Sequence, residues 1–204
     1  MAAIKSLIFW VSGVVTPALT GLTTAALPQQ GSRIDADVWF GLLDLARELA
    51  AGTISESDYC EEVVARTSSP ITGAELSAAI EQAVAPSPDM FPLYDEIKDL
   101  CRLYLLVDLP ERWFAPLLRD ARFAQTFSDP GAILRADRFG VKSSLELPIT
   151  LAHSGLFDNQ ATLLIDADPR RAMQSTRAGL YAPIFVDAAR LRREFVLWGL
   201  LPST

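Results

Sequence analysis

The sequence predicts an α/β protein in which helices cover both faces of a parallel sheet. Four short runs are continuously apolar and have strand length, as strands buried on both faces do: IKSLIFWVSGVV, CRLYLLVDLP, ATLLIDAD and APIFV. Stretches with helical periodicity alternate with these runs through the second half of the chain, which is the order of a parallel α/β sheet. With 204 residues, 50% of them hydrophobic, the chain is long enough to bury a substantial core.

The first run, residues 4–15, predicts a buried strand followed by a polar loop. Its alternatives are a membrane span or a secretory signal, because no charged residue lies between Lys5 and Arg33. Thr16, Pro17 and the threonines that follow interrupt the run at strand length. We therefore favour the strand and expect no membrane association.

The composition restricts the environment and the partners of the protein. Cys60 and Cys101 are far apart and match no metal-ligand spacing, so we expect two unpaired thiols in a reducing, cytoplasmic setting. The single histidine, His153, is expected at a helix end rather than in a catalytic site. The net charge is −7, and the basic residues are mixed with acidic ones, which leaves no basic stripe for nucleic acid.

Three helices are predicted before a proline-rich boundary at residues 85–92. Apolar residues at helical spacing predict a helix over residues 36–50, and Gly52 follows as its stop. Two capping pairs predict the next two helices, near residues 55–66 and 73–84: Ser55 with Asp58, and Thr72 with Glu75. This part of the chain is therefore expected to be a helical module.

The elements expected after this boundary alternate regularly. In order they are a helix over residues 89–99, a strand in CRLYLLVDLP, a helix over 111–121, a strand near 132–135, a helix near 144–154, a strand in ATLLIDAD, a helix from Pro169 to a stop at Gly179, a strand in APIFV and a helix over 187–199. In the helix over residues 111–121, we expect Trp113, Leu117 and Leu118 to share one buried face.

Chemistry is expected in the loops at the carboxyl ends of the strands, where ligands of parallel sheets bind. Four loops fall at this edge: Trp10 to Gly13, Val107 with Asp108, Lys142 with Ser143, and Asp166 to Asp168.

The order and spacing of these loops, the turn FGVK before a helix, and the ending LLIDADPRRAMQSTRAGLYAPIFVDAARLRREFVLWGLL resemble the haloacid dehalogenase-like superfamily, in the branch with a small helical cap after the first strand. The resemblance covers nearly the whole chain. It implies a Rossmann-like three-layer core made of residues 1–16 and 87–204 and a helical cap made of residues 17–86. It is also compatible with a homodimer.

The resemblance implies that two of the four loops have lost their catalytic groups. In the family, the first strand ends in an aspartate nucleophile, and an aspartate two residues later acts as general acid and base. Trp10 stands at the nucleophile position and Ser12 at the acid/base position, where an indole and a hydroxyl cannot perform these roles. Val107 stands where the second loop of the family has a hydroxyl donor.

The remaining two loops depart from the family in the same way. The third loop normally supplies a lysine that neutralises developing charge. Ser143 aligns with that position and has Lys142 beside it, and a shift of one residue would place Lys142 there instead. The fourth normally supplies two adjacent acidic residues, the second of which binds magnesium, and Ala167 stands at that second place between Asp166 and Asp168. We therefore expect no catalytic residue, no metal and no cofactor, since Mg²⁺ needs one or two carboxylates.

Two functions remain open. The first is a catalytically inactive haloacid dehalogenase-like protein that binds an unidentified protein or small molecule. The alternative is residual phosphatase activity on a small phosphorylated substrate, with Mg²⁺ as cofactor and the polar residues Asp108, Lys142, Asp166 and Asp168 left in the cleft. The ring of Trp10 either fills the cleft, which we favour, or lines a pocket.

Overall fold

The computed structural model of the protein describes residues 3–202. Its sheet has four parallel strands in the order β3, β2, β1, β4. The strands are β1 (Ser6–Trp10), β2 (Arg102–Val107), β3 (Ile133–Arg135) and β4 (Thr162–Ile165). The prediction of a parallel α/β sheet is confirmed.

Ten α-helices accompany the sheet within residues 3–202, and none of them is long and apolar enough to cross a bilayer. They are α1 (Leu19–Ala26), α2 (Ala36–Ala51), α3 (Glu56–Thr67), α4 (Gly73–Ala83), α5 (Met90–Ile97), α6 (Glu111–Arg119), α7 (Ala121–Thr126), α8 (Leu147–His153), α9 (Pro169–Arg177) and α10 (Ala188–Leu197). Helices α1 to α4 lie between β1 and β2 in the chain and pack on one another. They form the helical insertion that was expected after the first strand.

The starts of α3 and α4 follow from their capping residues. The side chains of Ser55 and Thr72 accept hydrogen bonds from the backbone N–H groups of Asp58 and Glu75, respectively. The two carboxylates accept hydrogen bonds in return from the backbone N–H groups of Ser55 and Thr72. Both predicted capping pairs are confirmed as reciprocal capping boxes.

Strand β1 forms the centre of the core. Its residues Leu7, Ile8, Phe9 and Trp10 are all fully buried. Because successive side chains of a strand point to opposite faces, both faces of the sheet are covered. On one face, Phe9 packs edge-on against Tyr94 of α5, with 5.3 Å between the ring centroids.

The prediction of a polar loop after the first strand is wrong, because α1 occupies residues 19–26. The side chains of Leu19 and Leu22 are buried, and the hydroxyl of Thr23 is hydrogen-bonded to that of Tyr59 at 2.8 Å. Threonines lower helix propensity, but packing against α2 and α4 outweighs that preference here. The segment therefore belongs to the helical insertion.

The helix predicted over residues 111–121 is confirmed as α6, which ends at Arg119, and a separate helix, α7, begins at Ala121, where the side chain of Asp120 caps it. The structure buries Trp113 and Leu117 as expected but leaves Leu118 41% exposed. Phe114 takes its place on the buried face.

The prediction of a strand in APIFV is also wrong. This segment makes two isolated parallel bridges, Tyr181 with Leu163 and Ile184 with Asp166, instead of a continuous ladder. Pro183 lies between them and has no N–H to donate, which interrupts pairing at this edge of the sheet.

Candidate functional site

The carboxyl ends of β1, β2 and β4 meet at one edge of the sheet. β1 is the middle strand of the three, with Trp10 beside Leu106 of β2 and Phe9 beside Ile165 of β4. This register brings the loops that follow these strands together, including Asp108 after β2 and Asp166 after β4. Both aspartates are buried.

Trp10 and Asp108 are joined by a buried hydrogen bond between positions 98 residues apart. The indole Nε1–H of Trp10 donates to Oδ2 of Asp108 at 2.6 Å. The backbone N–H of Ser12 donates to Oδ1 of the same carboxylate at 2.9 Å. The loop after β1 is therefore tied to the loop after β2 through both oxygens of one carboxylate.

The environment of Asp108 disfavours its charge. Burial raises the pKa of the Asp108 carboxyl above its ordinary value, and the nearby Asp166 acts in the same direction. The charge of Arg171 and the two N–H donors oppose this rise without cancelling it. Asp108 is thus a buried acid whose neutral form is favoured relative to an exposed aspartate.

Asp166 is held by Arg171, the third residue of α9. Nε and Nη2 of Arg171 donate to the two oxygens of Asp166, each at 2.7 Å, in a bidentate pair. The backbone N–H of Asp168 donates to Oδ1 of Asp166 at 2.9 Å. Burial lowers the pKa of Arg171, but the negative charges of Asp166, Asp108 and Asp168 outweigh that effect and raise it. The guanidinium is therefore a permanent buried cation.

Arg171 also lies over the ring of Trp10, with its Cζ 3.9 Å from the ring centroid. This is a cation–π contact in a desolvated setting, where such contacts are strongest. The five residues Trp10, Ser12, Asp108, Asp166 and Arg171 form one connected set, which we call the buried polar cluster. It joins the loops that follow β1, β2 and β4 into a single internally bonded unit.

The turn after β1 has two further fixed points. The side-chain oxygen of Ser12 accepts a hydrogen bond from the backbone N–H of Leu19 at 2.7 Å, so Ser12 caps the start of α1. Gly13 has a φ of +98°, and a Cβ at this position would lie 3.0 Å from the Cβ of Ala167. Glycine is required here by both its backbone angle and the close approach of the two loops.

A cavity of about 430 Å³ opens between α2 and the carboxyl end of the sheet. Its polar lining consists of Ser12, Thr20, Arg47, Asp108, Asp168, Arg170 and Arg171. Trp10 has no exposed surface and its ring packs against Arg171, so Arg171 and not Trp10 lines this cavity. We call this space the cap cavity.

The structure brings only some of the sequence-predicted site residues together. Asp108 and Asp168 line the cap cavity, and Asp166 lies directly behind Arg171. Lys142 is exposed, and Ser143 is half-buried, and neither lines the cavity. The next residue of the third loop, Ser144, contacts α2 instead. Its backbone N–H donates a hydrogen bond to the carbonyl of Arg47 at 3.2 Å.

The other positions singled out from the sequence have structural roles. Val107 is the buried last residue of β2, and Ala167 lines the cavity where it touches Gly13. His153 is the exposed last residue of α8. None of these side chains is a hydrogen-bond partner of the buried polar cluster.

Sequence reasoning missed the two arginines that organise this region. Arg171 neutralises Asp166, and Nη2 of Arg47 lies 3.5 Å from Oδ2 of Asp168. A signal for Arg171 is present in the sequence DADPRR, since an arginine on the first turn of a helix can reach back to an acidic residue before that helix. Nothing local indicates Arg47, because its contact depends on how α2 packs over the sheet.

The sequence matches no protein-family model and no curated protein. Solved structures with the same fold are nevertheless numerous. The haloacid dehalogenase-family enzyme BT-2542 from Bacteroides thetaiotaomicron superposes with a TM-score of 0.67 at 13% identity, covering 95% of this chain and 98% of that one. A predicted haloacid dehalogenase-like family hydrolase from Porphyromonas gingivalis superposes with a TM-score of 0.65 at 18% identity, over 100% of both chains.

A third similar structure is L-2-haloacid dehalogenase from Xanthobacter autotrophicus with covalently bound chloropropionic acid. Its TM-score is 0.64 at 16% identity, covering 98% of this chain and 85% of that one. The chain therefore has the haloacid dehalogenase-like fold, with a helical insertion after the first strand. At these identities the likeness concerns the fold alone.

Proposed function

We propose that this protein is a catalytically inactive member of the haloacid dehalogenase-like fold that acts by binding. The observation that carries the proposal is the pairing of Arg171 with both oxygens of Asp166 above the ring of Trp10. A carboxylate engaged in this way is not free to hold a metal ion. An indole at the end of β1 offers no nucleophile.

The oxygen atoms in this region do not form a suitable set of ligands for magnesium. Mg²⁺ requires near-octahedral oxygen ligands, usually one or two carboxylates with water and phosphate oxygens. Asp108 accepts hydrogen bonds from two N–H groups and Asp166 from three, two of which belong to the guanidinium of Arg171. Within residues 3–202, no group of three or more His, Cys, Asp or Glu side chains is arranged to hold a metal ion.

A second candidate, residual hydrolysis, draws support from Asp108 and Asp168 in the wall of the cap cavity. Asp168 is the better placed of the two, because its side chain is 20% exposed. Crystal structures of BT-2542 include a complex with magnesium and inorganic phosphate. A phosphate ester is therefore the substrate against which this candidate is tested.

Hydrolysis of p-nitrophenyl phosphate with and without magnesium separates the two candidates. We expect no magnesium-dependent turnover by the purified protein. A matched pair of variants guards against contamination: Asp168→Asn in the cavity, and Asp187→Asn outside it, since both aspartates cap a helix through their side chains. Turnover that requires magnesium, disappears in Asp168→Asn and persists in Asp187→Asn would contradict the proposal and favour the hydrolase.

A further inference from the structure

We propose that the cap cavity binds a small uncharged carboxamide with an apolar substituent. The inference rests on the proposed function, because it assigns a ligand class to the same region. Three observations carry it: the apolar wall of the cavity, an unused donor on Arg171, and the balance of charge around the two.

The wall of the cavity facing the helical insertion is apolar. Its volume, about 430 Å³, lies within the range of about 300–1,000 Å³ that is typical of small-molecule sites. The apolar lining comes from α1, α2 and the start of α9, and it comprises Ala18, Leu19, Leu43, Ala46 and Pro169. A ligand that fills this space needs an apolar body to replace water against these side chains.

The floor of the cavity offers a donor that has no protein acceptor among the described residues. Arg171 uses Nε and one N–H of Nη2 to bind Asp166. Its Nη1 lies 4.0 Å from Oδ2 of Asp168, which is too long for a hydrogen bond. The side chain is 10% exposed and lines the cavity, so this donor faces the cavity without a protein acceptor. A ligand carbonyl would satisfy it.

The same floor also offers acceptors close to that donor. Oδ2 of Asp168 faces Nη1 of Arg171 across the 4.0 Å separation, and the carboxylate of Asp108 lines the cavity nearby. Each carboxylate oxygen has lone pairs beyond those in use. A carboxamide carries an acceptor and a donor on the same carbon, so its carbonyl can face Arg171 while its N–H group faces a carboxylate.

The charges around the cavity favour an uncharged ligand over an anion. The cations are Arg47, Arg170 and Arg171, and the anions are Asp108, Asp166 and Asp168. Arg171 and Arg47 already face carboxylates at short distance, and Arg170 is exposed, where solvent screens its charge. An added anion would lose its hydration without meeting an unbalanced positive charge.

Three probes with the same ring test this inference: benzamide, benzoate and phenylphosphonate. Binding to the full chain is measured at neutral pH by calorimetry and by ligand-observed NMR. We expect benzamide to bind at least about tenfold more tightly than either anion, a difference of about 1.4 kcal/mol. Benzoate is the critical comparison, since it keeps the shape and the acceptor but adds a charge and removes the donor.

Two variants of α2 locate the binding. Ala46→Phe fills the cavity, whereas Glu48→Phe places the same side chain on the exposed side of the same helix. We expect benzamide binding to be lost in Ala46→Phe and kept in Glu48→Phe, with the thermal unfolding midpoint of each variant recorded to establish that it is folded. If Ala46→Phe does not fold, Leu43→Phe replaces it.

Several outcomes would overturn the inference: no benzamide binding by the unmodified protein, equal or tighter binding of benzoate or phenylphosphonate, or benzamide binding that survives filling of the cavity. Each of these outcomes can occur without any phosphatase activity, and it would then contradict the proposed ligand class but not the proposed function. Magnesium-dependent turnover would instead contradict the proposed function itself.

Discussion

The guanidinium of Arg171 lies over the indole of Trp10, with 3.9 Å between its Cζ and the ring centroid. The same guanidinium binds both oxygens of Asp166, so one buried cation connects the loop after β1 with the loop after β4. In the family that the chain resembles, these two loops supply the carboxylates for a metal ion. In this chain a buried cation that contacts both loops is the guanidinium of Arg171.

Loss of this charge is expected to destabilise the fold strongly. Arg171→Met leaves Asp108 and Asp166 buried without their cation, and breaking a buried ion pair in this way costs about 3–5 kcal/mol. Urea unfolding at neutral pH measures the change. Arg170→Met is the control, because Arg170 is exposed and such surface changes stay within about 0.5 kcal/mol. Equal stability of the two variants would contradict the assigned role of Arg171.

The indole N–H of Trp10 is expected to matter more than its ring alone. Trp10→Phe retains an aromatic ring but leaves Oδ2 of buried Asp108 without its donor, at a cost of about 1–3 kcal/mol beyond the lost ring volume. Trp113→Phe is the matched control, since its Nε1–H donates to the neutral hydroxyl of Ser77 at 3.2 Å in another buried site. A smaller loss in Trp10→Phe than in Trp113→Phe would count against a specific role of the Asp108 bond.

The raised pKa of Asp108 predicts a pH-dependent difference between the protein and Asp108→Asn. The folded state raises this pKa above its ordinary value of 3.8, so between the two values folding takes up a proton. This group therefore stabilises the fold increasingly as the pH falls through its raised pKa, and the contribution is lost as the pH rises again. We expect the free energy of unfolding of the unmodified protein, minus that of Asp108→Asn, to increase on acidification.

Chemical denaturation of both proteins at a series of pH values from neutral to about 4 measures that difference. Asp129→Asn is a useful control, because the Asp129 pKa is lowered by Arg102 and its contribution has the opposite sign. A difference for Asp108→Asn that shrinks on acidification would mean that Arg171 and the two N–H donors stabilise the carboxylate of Asp108 by more than burial disfavours it.

Much of the fold could be predicted because its signals are local. The apolar runs of β1, β2 and β4 and the capping pairs Ser55 with Asp58 and Thr72 with Glu75 lie within a few residues of the elements they specify. The predictions that were wrong concern residues whose structure depends on packing between elements. α1 forms from a threonine-rich segment because it is covered by α2 and α4, and Leu118 is exposed because Phe114 packs in its place.

The site was only partly predictable for the same reason. The absence of a nucleophile at Trp10 is a local fact, but its partner Asp108 is 98 residues away, and only the adjacent strands bring them together. Arg171 is five residues from Asp166, yet its position over Trp10 depends on the register of β1 against β4. The sequence contained the residues of the buried polar cluster without indicating how they pair.

Two glycine substitutions are expected to have opposite signs. Gly13→Ala should destabilise the fold by about 1–3 kcal/mol, since it places a side chain in the left-handed region and against Ala167. Gly21→Ala should instead stabilise it by about 0.5–1 kcal/mol, because alanine is the better helix former and a Cβ there meets no atom within 4 Å. Thermal unfolding measures both. Destabilisation by Gly21→Ala equal to that by Gly13→Ala would contradict this account of the first loop.

Introducing carboxylates alone is not expected to create a magnesium site. The triple variant Trp10→Asp, Ser12→Asp and Ala167→Asp adds acidic groups to the first and fourth loops, but Arg171 would still occupy both oxygens of Asp166. Its positive charge would also repel a divalent cation at short range. We expect magnesium to bind only when Arg171→Ala is added to the three changes.

Calorimetric titration with magnesium chloride, and the rise of the unfolding midpoint with magnesium concentration, measure this binding. The triple variant with Arg170→Ala in place of Arg171→Ala is the control, since it removes a neighbouring charge that is exposed and not paired with Asp166. Magnesium binding by the triple variant itself, or equally by both quadruple variants, would mean that the Arg171 charge does not stand in the way of the ion. In that case the number of carboxylates, and not the charge of Arg171, would decide whether this region binds magnesium.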